Sequence, residues 1–180
     1  MEIHLHKSKT IVKPQKTVKQ NDLDKNKSYT LSLIVNQTPK KVFIAAANPK
    51  QWWSEEINGS TNKLGGIFTY HYQEVHKARL KVMEYVSGKK LVWTVLDNYF
   101  NFTKDQTEWK DTQIIFEISK LGNKTKLIFT HQDLGPHYEC FSVCQKAWSF
   151  YIKNSLRNLI LTGKGQPNSK ETITKRKSTG

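Results

Sequence analysis

His131 and Asp133 stand two apart in the stretch TKLIFTHQDLG, at the end of an alternating run. There an imidazole and a carboxylate could hydrogen-bond a ligand's polar head or move a proton. A general base also needs a partner and a poised geometry, and no spacing around this pair supplies either. Glu55 and Glu56 follow two tryptophans, Trp52 and Trp53, and paired acids in a polar stretch are ordinarily solvated. His4 and His6 could hold a metal ion weakly, but two imidazoles leave most of a zinc coordination shell empty. Cys140 and Cys144, with His137 and Glu139 nearby, mix soft and hard ligand types. Both cysteines nevertheless fall on the apolar face of a helical pattern, where a small buried hydrophobe belongs. The sequence has no phosphate-cradling glycine loop, dinucleotide fingerprint, nucleophile elbow or zinc-protease helix. The expectation is a protein with no catalytic residues, metal site or cofactor of its own.

The elements that must position these residues are legible from periodicity. Tyr29–Val35 alternates and reads as a strand, and Thr38-Pro39 then supplies an N-cap and first helical position for KKVFIAAA. Asn48-Pro49 repeats that start signal and predicts a second short helix carrying Trp52 and Trp53, ended by the Ser, Asn and Gly residues of 54–66. From Gly66 the period changes to two, with Phe68, Tyr70 and Tyr72 on one face, followed by strands over 78–86 and 91–96 across the turn SGKK. After a polar loop, strands over 112–119 and 125–131 meet across LGNK, for six strands in all. Residues 138–162 carry one long apolar stripe at helical spacing, closed by Gly163. Strand, two short helices, five strands and a long helix make an α+β domain in which an antiparallel sheet curls around one helix.

Charge divides the chain further. The net charge is +14, and the segments 1–28 and 163–180 each hold +4 of it, so over half the excess lies in the ends. The first 28 residues contain no aromatic and almost no consecutive apolar residues, too little to offset their ordering entropy. The expected organisation is a disordered basic tail over 1–28, one domain over 29–163, and a second disordered basic tail over 164–180. No run approaches the ~20 apolar residues of a membrane span or the apolar core of a signal peptide, which predicts a cytoplasmic protein with unpaired cysteines. Lysines concentrated in tails predict weak, non-specific contact with nucleic acid.

The blocks PKKVFIAAANPKQWW, GGIFTY, VMEYVSGKKLVWTV, TQIIFEISKLGNKTKLIFTHQDLG and AWSFYIKNSLRNLILTGKGQP, in that order over residues 29–167, resemble the SRPBCC superfamily. The closest branch is the activator of heat-shock-protein-90 ATPase homologue-like family, related to START and birch-pollen-allergen (Bet v 1-like) proteins. The resemblance implies the helix-grip fold, with a cavity for a hydrophobic ligand between the sheet and the last helix. It also implies that His131, which this block commonly carries, is structural. In that geometry Phe68, Tyr70, Trp93, Phe116, Phe129, Trp148 and Tyr151 line the cavity, with His131 near one end and Trp93 and Trp148 on opposite walls. Trp53 and the stretch Tyr99-Phe100-Asn101-Phe102 sit at its mouth. The function expected is non-enzymatic binding of a small hydrophobic or amphipathic, lipid-like molecule. The alternatives are an interaction module, either co-chaperone-like or contacting an acidic protein or nucleic acid through its basic tails or surface, and a cyclase-like or hydrolytic enzyme using the same cavity.

Overall fold

The computed structural model describes residues 27–170. Residues 1–26 and 171–180 of the expected tails, and with them the His4/His6 pair, lie outside the described residues. Seven antiparallel strands form one sheet in the order β1-β7-β6-β5-β4-β3-β2. They are β1 (Tyr29–Val35), β2 (Asn58–Gly59), β3 (Ile67–Tyr72), β4 (His76–Val86), β5 (Lys90–Phe100), β6 (Gln113–Leu121) and β7 (Lys124–Gln132). The expected α+β helix-grip architecture is present, with one strand more than six. The addition is β2, whose two residues pair with Thr69 and Phe68 and are too short to show any period. Register shifts between Arg79 and Leu80 and between Val82 and Glu84 interrupt the β4–β5 ladder, and irregularities of this kind bend and twist a sheet.

The first helix, α1 (Pro39–Ala46), starts as the sequence dictates: Thr38 Oγ1 accepts the Lys41 amide at 3.3 Å and Pro39 occupies the first turn. The second predicted helix shrinks to a single 3₁₀ turn, Pro49–Gln51, and Trp52 and Trp53 come after it. The Pro49 carbonyl accepts from the amides of Trp52, Trp53 and Ser54, which gathers the chain into a turn instead of propagating a helix. The C-terminal helix starts later than expected, as α2 (Phe141–Phe150), and passes through a π-helical turn, Tyr151–Leu156, into α3 (Arg157–Thr162). Gly163 ends it with φ of 80°, the left-handed conformation that favours glycine. The late start has a visible cause. The Glu108 carboxylate accepts the amides of Glu139 and, at 2.9 Å, Cys140, holding 138–140 as a turn in front of the helix.

The boundary expected at residue 163 is too early. Residues 164–170 pack back on the domain even though they have no apolar periodicity, because their main chain finds fixed partners. The Gln166 amide donates to Ser155 Oγ at 2.7 Å, and Asn168 exchanges backbone bonds of 3.0 Å with the Trp53 carbonyl and the Glu55 amide. A Cβ on Gly165 would overlap the Gln51 carbonyl oxygen, so this close approach needs glycine. Among the described residues no helix is long and apolar enough to cross a membrane.

The core lies between the concave face of the sheet and α2–α3. Trp52, Trp53, Trp93 and Trp148 are all buried there with Phe43, Phe68, Phe116 and Phe129. Burial of each such side chain stabilises the fold by roughly 1.5–3 kcal/mol.

Candidate functional site

Strand parity carries the expected aromatics inward, and the sheet register brings them together. Phe116 on β6 pairs with Phe129 on β7, and Trp93 on β5 pairs with Ile114. These rings interdigitate: Phe116 meets Trp93 at 5.1 Å and Phe129 at 5.4 Å between centroids, and Phe68 meets Trp93 at 5.1 Å. Trp93 and Trp148 are therefore not opposite walls of a space. Trp53 is wedged between them, stacked on Trp93 at 6.3 Å and tilted against Trp148 at 5.0 Å. It enters from the turn after Pro49, out of reach of any periodicity argument.

His131 is likewise enclosed. Its Nδ1 accepts the indole N–H of Trp148 at 3.0 Å, so its proton resides on Nε2, 2.9 Å from Thr112 Oγ1. The Thr112 hydroxyl donates in turn to the Trp109 carbonyl at 2.6 Å. Burial pushes the imidazole pKa down to about 3, so it is neutral and its hydrogen bonds are complete. This is the structural role that the resemblance implies, and it takes His131 out of the set that could meet a ligand. Asp133 contributes its amide to Ser28 Oγ at 3.1 Å and sits in a left-handed turn after β7.

Open space lies further along the helix, towards the start of β4. A cavity of about 120 Å³ is lined by Trp53, Tyr70, Trp148 and Tyr151, and by His76, Phe100 and Trp109. Tyr72, Val75, Phe102, Val143, Cys144 and Ala147 complete its lining, and Phe102 and Val143 are exposed. Of the expected ligand-contacting residues, Trp53, Tyr70, Trp148 and Tyr151 line this space, while Phe68, Trp93, Phe116, Phe129 and His131 belong to the packed core behind it. Phe100 and Phe102 reach it as expected; Tyr99, one residue out of phase, lies on the opposite sheet face beside Asp97 and Arg79.

Among the lining residues that escaped the sequence reading, His76 and Trp109 carry nitrogen-bearing rings. His76 shares the parity of Ala78, Leu80 and Val82, all buried, so its inward direction was readable. Trp109 sits in a polar loop without periodicity and is placed by its neighbours. The buried Asn98 side chain accepts the Trp109 amide at 3.0 Å and donates to the Gln106 carbonyl at 3.2 Å, and the Trp109 indole donates to Cys140 Sγ at 3.3 Å.

The cavity is electrostatically quiet. Among the described residues that line it there is no Lys, Arg, Asp or Glu. Burial lowers the His76 pKa to about 3, with a smaller contribution from His131, so its imidazole is neutral. Burial also raises Tyr70 well above the usual phenol range and raises Tyr151. Asn168 ties the two phenols together, accepting from Tyr151 Oη at 2.9 Å and donating to Tyr70 Oη at 3.3 Å. The Cys140 thiol is pushed up by its hydrogen bond with Cys144 and by burial, which leaves it an inert buried group. The described residues contain no cluster of His, Cys, Asp and Glu able to hold a metal ion.

Comparisons with known proteins agree with this fold. The structure is similar to the solution structure of the Aha1 dimer from Colwellia psychrerythraea, with a TM-score of 0.62 at 21% identity, over 77% of this chain and 98% of that one. It is similar to protein MLL2253 from Mesorhizobium loti, with a TM-score of 0.61 at 12% identity over 78% of this chain and 100% of that one. It is also similar to CalU16 from Micromonospora echinospora, with a TM-score of 0.54 at 14% identity over 84% and 82% of the two chains. No curated protein matches the sequence. The family described as Activator of Hsp90 ATPase homolog 1-like protein matches residues 36–160, and the chain belongs to it.

Proposed function

We propose that the protein is a non-enzymatic binder of one small apolar molecule, about the size of a single ring, in the cavity between β3–β5 and α2. The observation that carries this reading is the cavity itself: about 120 Å³, walled by aromatic rings and opening beside the exposed Phe102 and Val143. That is close to the ~150 Å³ engineered cavity that takes up benzene and below the ~300 Å³ at which ordinary ligand pockets begin. A ring therefore suits it better than the lipid-like chain that the sequence suggested. Binding is favoured over turnover because an imidazole with a pKa of about 3 is a poor proton acceptor at neutral pH. The free thiols of Cys140, at the helix N-cap, and Cys144, one turn further on, suit a reducing compartment such as the cytoplasm.

Titration with toluene and with a long-chain fatty acid, read by tryptophan emission, tests the proposal, since Trp53, Trp109 and Trp148 all line the cavity. Toluene should quench saturably and Ala147→Phe, which fills the space, should abolish the effect. Tighter binding of the fatty acid, unaffected by Ala147→Phe, would contradict the reading.

One further observation favours a second reading, in which the outer face of the helix contacts an acidic partner. Residues 140–170 hold five cations and no acid, and Lys146, Lys153 and Arg157 are exposed along one helix face. Charge reversal of these three should weaken capture of such a partner and leave toluene binding unchanged. A partner retained equally by the reversed variant would remove this reading.

A further inference from the structure

Two histidines are buried in this core, and they are treated differently. His131 has both ring nitrogens engaged, by Trp148 and Thr112. His76 is 7% exposed and packed among Tyr70, Phe100 and Trp109 at centroid distances of 4.8, 4.3 and 4.6 Å, and its Nε2 meets no hydrogen-bond partner. A buried polar atom left unpaired costs free energy comparable to a lost hydrogen bond, so such atoms are rare and call for an explanation. The indole N–H of Trp93 is also unpartnered, but Trp93 is shut in by Trp52, Trp53, Phe68 and Phe116 and does not line the cavity. His76 does line it.

From this juxtaposition we infer that the ligand is a hydroxyarene, a phenol-class single ring whose hydroxyl completes the hydrogen bonding of His76 Nε2, an atom with no exposed surface that a turn of the imidazole brings to the cavity. The inference rests on the binding reading above and names its ligand class. The volume admits one ring, and the faces of Tyr70, Phe100, Trp109 and Trp148 offer it aromatic walls. A hydroxyl both donates and accepts, so it serves either tautomer of a neutral imidazole. Burial keeps that imidazole neutral, with a pKa of about 3. A benzoate or benzylamine would bring a charge into a lining that offers no counter-charge among the described residues, which disfavours both.

The test compares two near-isosteric probes, 4-fluorophenol and 4-fluorotoluene, by fluorine NMR on the full chain and on its His76→Leu variant. Toluene-like rings leave water more readily, so the informative quantity is the ratio of the two affinities and its change on mutation. The wild type should favour the phenol, relative to the variant, by about tenfold, the worth of one ordinary hydrogen bond. Where the Leu variant does not fold, nitrogen NMR of the wild-type imidazoles decides: 4-fluorophenol should move the His76 Nε2 resonance, 4-fluorotoluene should not, and the His131 nitrogens should stay in place. An unchanged affinity ratio, or a His76 resonance indifferent to the phenol while the toluene still binds, overturns the inference and leaves the cavity reading standing. Failure of both rings to bind the wild type overturns both.

Discussion

At the residue scale, the buried histidines determine how the protein responds to acid. His76 and His131 have pKa values lowered to about 3 by burial, against about 6.5 in an unfolded chain. Below pH 6.5 the unfolded chain therefore binds protons that the folded chain refuses, so the stability they carry is fully present above pH 6.5 and is lost as the pH falls towards 3. Each histidine should contribute a loss of about 1.4 kcal/mol per pH unit once well below 6.5. Urea unfolding between pH 7 and 5, where most carboxylates remain ionised, should show stability falling with a slope that His131→Asn reduces. A flat profile over that range would mean that both imidazoles take up protons in the fold as readily as in the unfolded chain. The inward direction of Phe68, Tyr70, Trp93, Phe116, Phe129 and His131 was legible because strands alternate, and all six are buried. Alternation says nothing about whether an inward ring meets another ring or a void. That distinction was decided by Trp53 and Trp109, which arrive from a turn and a loop where no period exists.

At the element scale, the late helix start and the segment 164–170 show where pattern reasoning ends. The apolar stripe over 138–162 is real, but a carboxylate 31 residues before Glu139 in the chain, Glu108, takes the amides of Glu139 and Cys140, and the helix begins at Phe141. Gly-Lys-Gly-Gln-Pro-Asn-Ser has the composition of a free end, yet it is held by main-chain bonds to Trp53, Ser155 and Glu55 and by Asn168 between two cavity phenols. The π-helical turn participates, since its Ser155 donates to the Trp52 carbonyl at 2.7 Å while accepting Gln166. A chain truncated after residue 163 should lose about 2–4 kcal/mol, the net worth of the several hydrogen bonds that fix the segment. It should also expose Trp53 to a water-soluble quencher. Thermal unfolding and acrylamide quenching of the truncated chain check this, and an unchanged melting temperature would return the segment to the status of a tail.

For the whole molecule, the fold was legible from the order and period of its elements, and the family match and the structural similarities agree with it. The cavity was legible only as a consequence of the fold's shape, and its place shifted from the centre of the sheet to the end near His76 because four tryptophans fill the centre. A curved sheet around a helix can close completely or leave space, and packing of individual rings decides which. The central claim, that this space accepts a ring, is tested most directly by a crystal structure determined under saturating toluene. Density for one ring bounded by Trp53, His76, Trp109 and Trp148 is expected, absent from Ala147→Phe crystals treated in the same way. A cavity that stays empty in the wild type, or a ring found only on the outer face of the sheet, would contradict it.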